Sequence, residues 1–183
     1  MVYQRLYWAG GTEKFDNLGN INESFPDKKL LFTEGCNESF DSTKYQYWPN
    51  AERYGDAIIN DFNNGTVGWT DWNILLDEKG GPNHVGSFCF APIHADLSKG
   101  ELIYTPSYYY LGQFSKFIKP GAKRVSTTTS HSHLLSTSWL NDDGTMATIV
   151  MNPTDRPIAY ALYVGEVESS IQINARAIQT LIY

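Results

Sequence analysis

Apolar and polar residues follow one another with two different periods along this chain of 183 residues. Up to Pro120, short apolar runs alternate with segments in which apolar residues recur at helical spacing. From Arg124 onward, apolar residues recur at every second position. Alternating strands and helices are typical of a parallel sheet, and a period of two is typical of half-buried strands. The pattern therefore predicts an α/β part followed by an all-β part.

The α/β part begins with a predicted helix, strand, helix and strand, over residues 17–27, 29–33, 49–64 and 66–76. The second helix is indicated by four apolar residues at helical spacing, Ala51, Tyr54, Ile58 and Phe62. Asn50 is a candidate cap for its first turn, and Gly65 is a natural stop. Together these segments predict one and a half strand–helix units.

A long loop is predicted after residue 76, followed by a helix. Thr105 and Pro106 make a favourable helix start, because a threonine cap and a proline in the first turn suit the unpaired amides there. The helix is predicted to run to Ile118. The all-β part then has a predicted hairpin turn at 142–144 and six strands, over residues 124–129, 134–141, 145–151, 158–164, 170–175 and 177–183.

Composition narrows the classes of partner. The net charge is −6 and the isoelectric point about 5.1, with charges of both signs intermixed, which argues against nucleic acid or an anionic membrane as the principal partner. No run approaches the roughly 18 apolar residues of a membrane span, and no signal peptide is visible, which leaves localisation unknown. Aromatic residues make up 14% of the chain. Their rings could stack on the faces of sugar rings or pack in the hydrophobic core.

Neither a cofactor nor a metal is predicted. The two glycine pairs, at 10–11 and 80–81, lack the strand-then-helix setting of a phosphate loop. His131 and His133 would share one face of a strand but have no third ligand. Cys36 and Cys89 are too few for a disulfide framework and lack the spacing of a metal site.

Candidate chemistry lies where the predicted strands end. The apolar run 29–33 ends in Glu34 followed by Gly35, and (β/α) barrel enzymes present reacting groups at such carboxyl ends of strands. A glutamate there also simply marks where a strand reaches water. The next predicted strand carries polar and aromatic residues near its carboxyl end: Trp69, Asp71, Trp72 and Asn73. These side chains and Glu34 would then surround the same opening at one edge of the sheet.

Four motifs in order extend this pattern over nearly the whole chain: Thr33-Glu34-Gly35-Cys36, residues 67–73, Gly80-Gly81-Pro82-Asn83-His84-Val85, and residues 111–118. With them the chain, from about Phe25 to Tyr183, resembles glycoside hydrolase family 30, the group that includes the glucosylceramidases. The resemblance implies the carboxyl-terminal portion of a (β/α)8 TIM barrel followed by a β-sandwich domain. The expected domains are a partial catalytic barrel over 1–121 and the sandwich over 122–183.

A complete barrel needs eight strands and about 250 residues, whereas only two or three barrel strands are predicted here. We therefore expect the chain to be a fragment whose missing partner is the amino-terminal half-barrel. The resemblance assigns Glu34 as the nucleophile of a retaining mechanism, in which two carboxyl groups act on opposite sides of the bond. The acid/base glutamate of the family follows an asparagine on an upstream strand. Asn22-Glu23 and Asn37-Glu38 are in the wrong setting to replace it.

The resemblance also transfers substrate contacts. Trp72 matches a tryptophan that lines the sugar subsite, and Asn73 is placed to hydrogen-bond a sugar hydroxyl or to tie the loop together. Ser87 stands where relatives often carry a longer asparagine. Trp8 ends a Leu-Tyr-Trp triplet where relatives have a His-Trp-Tyr type, and His84 either contacts substrate or braces its loop.

Two classes of function follow. The first is part of a retaining β-glycosidase that hydrolyses β-glucosides such as glucosylceramide, or of a β-1,6-glucanase or β-xylosidase of the same family. The second is a non-catalytic accessory or carbohydrate-binding remnant. A carbohydrate or glycolipid substrate is the expected partner in the first class, and the isolated chain is expected to be inactive because it lacks the acid/base residue.

Overall fold

The computed structural model describes residues 15–83 and 85–183, together with the backbone of a two-residue strand at the start of the chain. Residues 1, 4–14 and 84 lie outside this description. The chain divides into two compact units, Met1–Tyr109 and Tyr110–Tyr183. The predicted domain boundary at residue 121 stays a prediction.

The first unit contains a three-stranded sheet whose paired strands run parallel, in the order β1-β2-β4. Its elements are β1 (Val2–Tyr3), α1 (Asp16–Ser24), β2 (Leu30–Gly35), β3 (Asn37–Glu38), a 3-10 turn (Ser42–Lys44), α2 (Trp48–Asn63) and β4 (Thr66–Asp71). The predicted strands at 29–33 and 66–76 are therefore confirmed in position, although β4 ends at Asp71. Parallel pairing brings the carboxyl ends of β2 and β4 to one edge of the sheet.

Helix α2 packs its apolar face on this sheet. The Trp69 ring of β4 stacks on Phe32 of β2 with centroids 4.9 Å apart, and Tyr54 of α2 meets it edge-on at 5.2 Å. The indole Nε1 of Trp69 also donates to Asp61 at 3.1 Å. Gly65 follows the helix with a φ of +96°, as expected for a stop. The predicted cap at residue 50 is wrong, because α2 already begins at Trp48.

The predicted long loop after residue 76 is wrong. The segment contains β5 (Leu75–Asp77), β6 (Cys89–Phe90), β7 (Ile93–Asp96) and β8 (Glu101–Tyr104). Strand β7 pairs with β5 in parallel and with β8 in antiparallel orientation, and β6 pairs with β3. These strands are only two to four residues long, so they are too short to show a clear period in the sequence.

His94 is buried within these strands. Its Nε2 accepts a hydrogen bond from the Ala91 amide at 2.9 Å, and its Nδ1 lies 2.7 Å from the Asp77 carbonyl oxygen. Because a carbonyl only accepts, Nδ1 carries the proton and the ring is neutral. Burial lowers the pKa of His94, and the rings of Phe40 and Tyr45 pack around it. This histidine therefore has a structural role.

Helix α3 (Pro106–Ser115) begins at the predicted proline. The second unit is otherwise built from β9 (Lys123–Val125), β10 (Leu135–Leu140), β11 (Met146–Asn152), β12 (Ile158–Val164), β13 (Val167–Ile173) and β14 (Ala177–Ile182). These strands form a four-stranded sheet in the order β14-β11-β10-β9 and a β12-β13 hairpin. The six predicted strands are confirmed, with β9 shorter and β13 shifted toward its amino end.

The two layers of this unit enclose a small apolar core of Leu134, Val150, Ile158 and Ile173. The predicted hairpin turn joins β10 to β11, where Gly144 has a φ of +85° and its amide donates to Asn141. Asn152 is fully buried and bonds through its side chain to the backbone of Thr154, Arg156 and Asn174. It thereby fixes the loops that follow β11 and β13.

No helix among residues 15–83 and 85–183 has the length and apolar character needed to cross a membrane.

Candidate active site

Three of the predicted residues, Glu34, Trp72 and Asn73, lie where strands β2 and β4 end. Glu34 is the penultimate residue of β2 and is exposed, and Gly35 after it is in register with Asp71 at the end of β4. The Trp72 amide donates to the Gly35 carbonyl oxygen at 2.8 Å. The segment that begins at Trp72 is therefore anchored to the peptide unit directly after Glu34.

The two tryptophans of the second strand have different environments. Trp72 leaves 37% of its surface exposed at the sheet edge, and Asn73 beside it is half-buried. Trp69 packs between Phe32 and Tyr54, on the side of the strand that faces α2. Among the two, only Trp72 is available to meet a ligand at this edge.

Asp71, at the end of β4, has a structural role in this site. Its Oδ1 accepts hydrogen bonds from the Tyr54 hydroxyl at 2.7 Å and from the Trp72 amide at 2.9 Å. Its Oδ2 has no hydrogen-bond partner among the described residues. Burial raises the pKa of Asp71 to about 6, against the two hydrogen bonds that lower it. Asp71 therefore holds the start of the Trp72 segment in place.

The raised pKa of Asp71 predicts a pH-dependent stability. The pKa of Asp71 is about 6 in the folded state and near 4 in the unfolded chain. Proton binding to Asp71 therefore stabilises the fold at low pH, and this contribution to the free energy of unfolding is lost as the pH rises through 6. Between pH 7 and pH 4.5 the contribution is about 2 kcal/mol. We expect Asp71→Asn, which retains an acceptor for Tyr54, to remove it.

The measurement compares urea unfolding of the unmodified chain and the variant at both pH values. Asp27→Asn removes a carboxyl group at an exposed position and is the matched control, against which the effect of Asp71→Asn is compared. An identical pH dependence in the unmodified chain and in Asp71→Asn would contradict the assignment.

The loop that carries Ser87 is braced by Asn83. Its Nδ2 donates to the Ser87 carbonyl oxygen at 2.7 Å, and its Oδ1 accepts from the amides of Val85 and Ser87 at 2.8 and 3.2 Å. The loop leads into β6, which pairs with β3 directly after the β2 strand end. Ser87 is exposed in this loop, and its carbonyl oxygen lies 3.7 Å from the Cys89 sulfur atom. Trp8 and His84 lie outside the described residues.

Neither Asn-Glu pair provides a second carboxyl group beside Glu34 where the parallel strands end. Glu23 lies in α1, and Glu38 of β3 forms an ion pair with Arg53 at 3.3 Å. Among the described residues of β2 and β4, Glu34 is therefore the one exposed carboxylate at the carboxyl ends of these parallel strands.

Comparison with known proteins is consistent with this arrangement. The model of the glycosyl hydrolase family 30 TIM-barrel domain matches residues 4–118, and that of the family 30 beta sandwich domain matches residues 121–181. The chain therefore belongs to glycoside hydrolase family 30. Its fold is part of a TIM barrel followed by a β-sandwich domain.

The relatives include glucosylceramidases. The chain is 35% identical to the lysosomal acid glucosylceramidase of Mus musculus, over 77% of this chain and 28% of that protein. It is 33% identical to putative glucosylceramidase 4 of Caenorhabditis elegans, over 91% of this chain and 34% of that protein. The crystal structure of SrfJ from Salmonella typhimurium matches with a TM-score of 0.90 at 29% identity, covering 100% of this chain and 40% of that one. The chain spans about a third of the length of these curated relatives.

Proposed function

We propose that this chain carries the nucleophile of a retaining β-glycosidase and that the nucleophile is Glu34. The observation that carries the proposal is an exposed glutamate at the carboxyl end of a parallel strand, within a segment matched by the family 30 barrel domain. Active sites of TIM barrels lie on that face, because the loops after the strands meet there.

In this mechanism the Glu34 carboxylate attacks the anomeric carbon and the glycosidic bond breaks. A second carboxyl group, about 5 to 5.5 Å away, protonates the departing oxygen and then deprotonates the water that releases the sugar. We propose that this acid/base residue lies outside these 183 residues, in the part of its relatives that the chain does not span. For the same reason the isolated chain is proposed to be inactive in turnover.

The remaining side chains have roles in binding. Trp72 offers an exposed ring face to the C–H groups of a sugar, and Asn73 beside it offers a polar amide. Ser87 offers an exposed hydroxyl in the loop before β6. Trp8 and His84 complete the proposed set on the resemblance of their motifs alone. The domains are proposed to be the partial barrel over 1–121 and the sandwich over 122–183.

The proposed substrates are β-glucosides such as glucosylceramide, a choice supported by the names of the mouse and nematode relatives. The test uses the full chain co-expressed with the amino-terminal part of a glucosylceramidase relative. Aryl β-glucoside, aryl β-xyloside and β-1,6-glucan are offered in turn, and the configuration of the first product is followed by NMR. We expect preferential cleavage of the glucoside, with the β-anomer released first.

Release of the α-anomer first would contradict the retaining mechanism. Faster cleavage of β-1,6-glucan or of the xyloside would instead assign a different substrate within the family. Reconstituted protein that binds sugars without cleaving any of the three would favour the non-catalytic alternative.

A further inference from the structure

The two cysteines of the chain lie side by side although 53 residues separate them in sequence. Their Sγ atoms are 2.8 Å apart, and both are free thiols. Cys89 is buried and Cys36 is half-buried, and the two pack together with Leu76 and Ala91. The sequence alone gave no reason to pair them, because two cysteines at this separation match no recognised spacing.

The backbone holds this pair in place from both sides. Strands β3 and β6 pair as Asn37 with Phe90 and Glu38 with Cys89, directly beside the two sulfur atoms. The Cys89 amide donates to the Gly80 carbonyl oxygen at 3.1 Å, which fixes the far side of β6. A disulfide has an S–S distance of about 2.05 Å, so bond formation requires the sulfur atoms to move together by less than about 1 Å.

We propose that Cys36 and Cys89 form a disulfide bond when the chain folds in the presence of an oxidant of the low-molecular-weight disulfide class. One protein thiolate attacks the external disulfide RSSR, forming a mixed disulfide and releasing one RSH. The second protein thiolate attacks the sulfur of the first cysteine, and a second RSH leaves. Two cysteine thiols are thereby oxidised by two electrons, RSSR is reduced to two RSH, and the two cysteine protons end on the two RSH.

Burial of the two cysteines favours a disulfide bond that forms during folding and then exchanges slowly. Burial raises the pKa of the Cys36 thiol well above its usual range, and the neighbouring charges of Asp71 and Glu38 act in the same direction. Burial likewise raises the pKa of Cys89. Because the thiolate is the form that exchanges, the folded pair reacts slowly near neutral pH. The bond therefore acts as a structural crosslink, closed during folding.

The crosslink would close the segment that contains α2, β4 and β5. Closing a loop of this length removes conformational entropy from the unfolded chain. The equilibrium constant for forming the disulfide is therefore expected to be about 10³-fold larger in the folded chain than in the unfolded chain. The same constraint fixes β6 to the residue that follows Gly35, at the edge where the parallel strands end.

In the test, the reduced chain folds out of about 6 M guanidinium into mixtures of reduced and oxidised glutathione, while a second sample stays in the denaturant with the same mixtures. Acid quenching, alkylation and peptide mapping then give the fraction of chain joined between Cys36 and Cys89. We expect the effective concentration of the pair to be on the order of 10²- to 10³-fold higher without denaturant. A ratio near one, or glutathione adducts in place of the crosslink, would overturn the proposal.

Thermal unfolding followed by circular dichroism supplies a second readout. The oxidised chain is expected to melt roughly 5–10 °C above the chain reduced with dithiothreitol. Cys89→Ser is the matched control, and its melting temperature is expected not to respond to the reductant. Identical melting of the oxidised and reduced chains would also overturn the proposal.

Discussion

Glu34→Gln is expected to lower the turnover of an aryl β-glucoside by at least about 10³-fold in the chain reconstituted with the amino-terminal part of a relative. The amide is nearly the same size as the carboxylate but has no charge with which to attack the anomeric carbon. Because Glu34 is exposed, the loss is expected without a change in the melting temperature.

Glu38→Gln is the matched control for this experiment. Glu38 is also exposed and lies four residues further along the chain, where it pairs with Arg53. An exposed ion pair of this kind contributes about 1 kcal/mol or less, so the control is expected to retain turnover. Equal losses in the two variants, or full activity of Glu34→Gln, would show that Glu34 has no special role.

Gly35→Ala is expected to destabilise the fold by about 2–3 kcal/mol. A Cβ atom at residue 35 would lie 2.5 Å from Cη2 and 2.9 Å from Cζ2 of the Trp69 ring. That ring has little freedom to withdraw, since it stacks on Phe32 and donates its Nε1 hydrogen to Asp61. Strand β2 must therefore shift, and Glu34 shifts with it.

Gly112→Ala, the same substitution at another glycine, is expected to have the opposite effect on the free energy of unfolding. Gly112 lies in α3, and an added Cβ there meets nothing within 4 Å. Alanine in a helix is favoured over glycine by about 0.5–1 kcal/mol, so this variant is expected to be slightly more stable. Denaturant unfolding of both variants decides the matter, and a stable Gly35→Ala would contradict the packing at the end of β2.

The sequence predicted the main elements of the fold because their patterns are long. Helix α2 has 16 residues and a clear apolar face, and strands β10 to β14 have six or seven residues each. The strands from β5 to β8 could not be predicted, because two to four residues are too few to establish a period. Their order depends on buried contacts such as those of His94, which no local pattern reveals.

The candidate site was predicted in part for a similar reason. Glu34 and Trp72 stand at the ends of recognisable strands, so parallel pairing alone brings them to one edge. The bond from Tyr54 to Asp71 joins a helix to a strand 17 residues away, and the cysteine pair spans 53 residues. Contacts of this kind follow from the packed fold, and spacing in the sequence does not indicate them.

The nucleophile assignment is tested most directly with a 2-fluoro β-glucoside that carries a dinitrophenolate leaving group. Such a leaving group needs little protonation, so the first attack does not depend on the acid/base residue. The reconstituted chain is incubated with the reagent, and the adduct is located by intact mass and peptide mapping. We predict one sugar on Glu34 and none in Glu34→Gln. A sugar attached to any other residue, or the same labelling in the variant, would contradict the account.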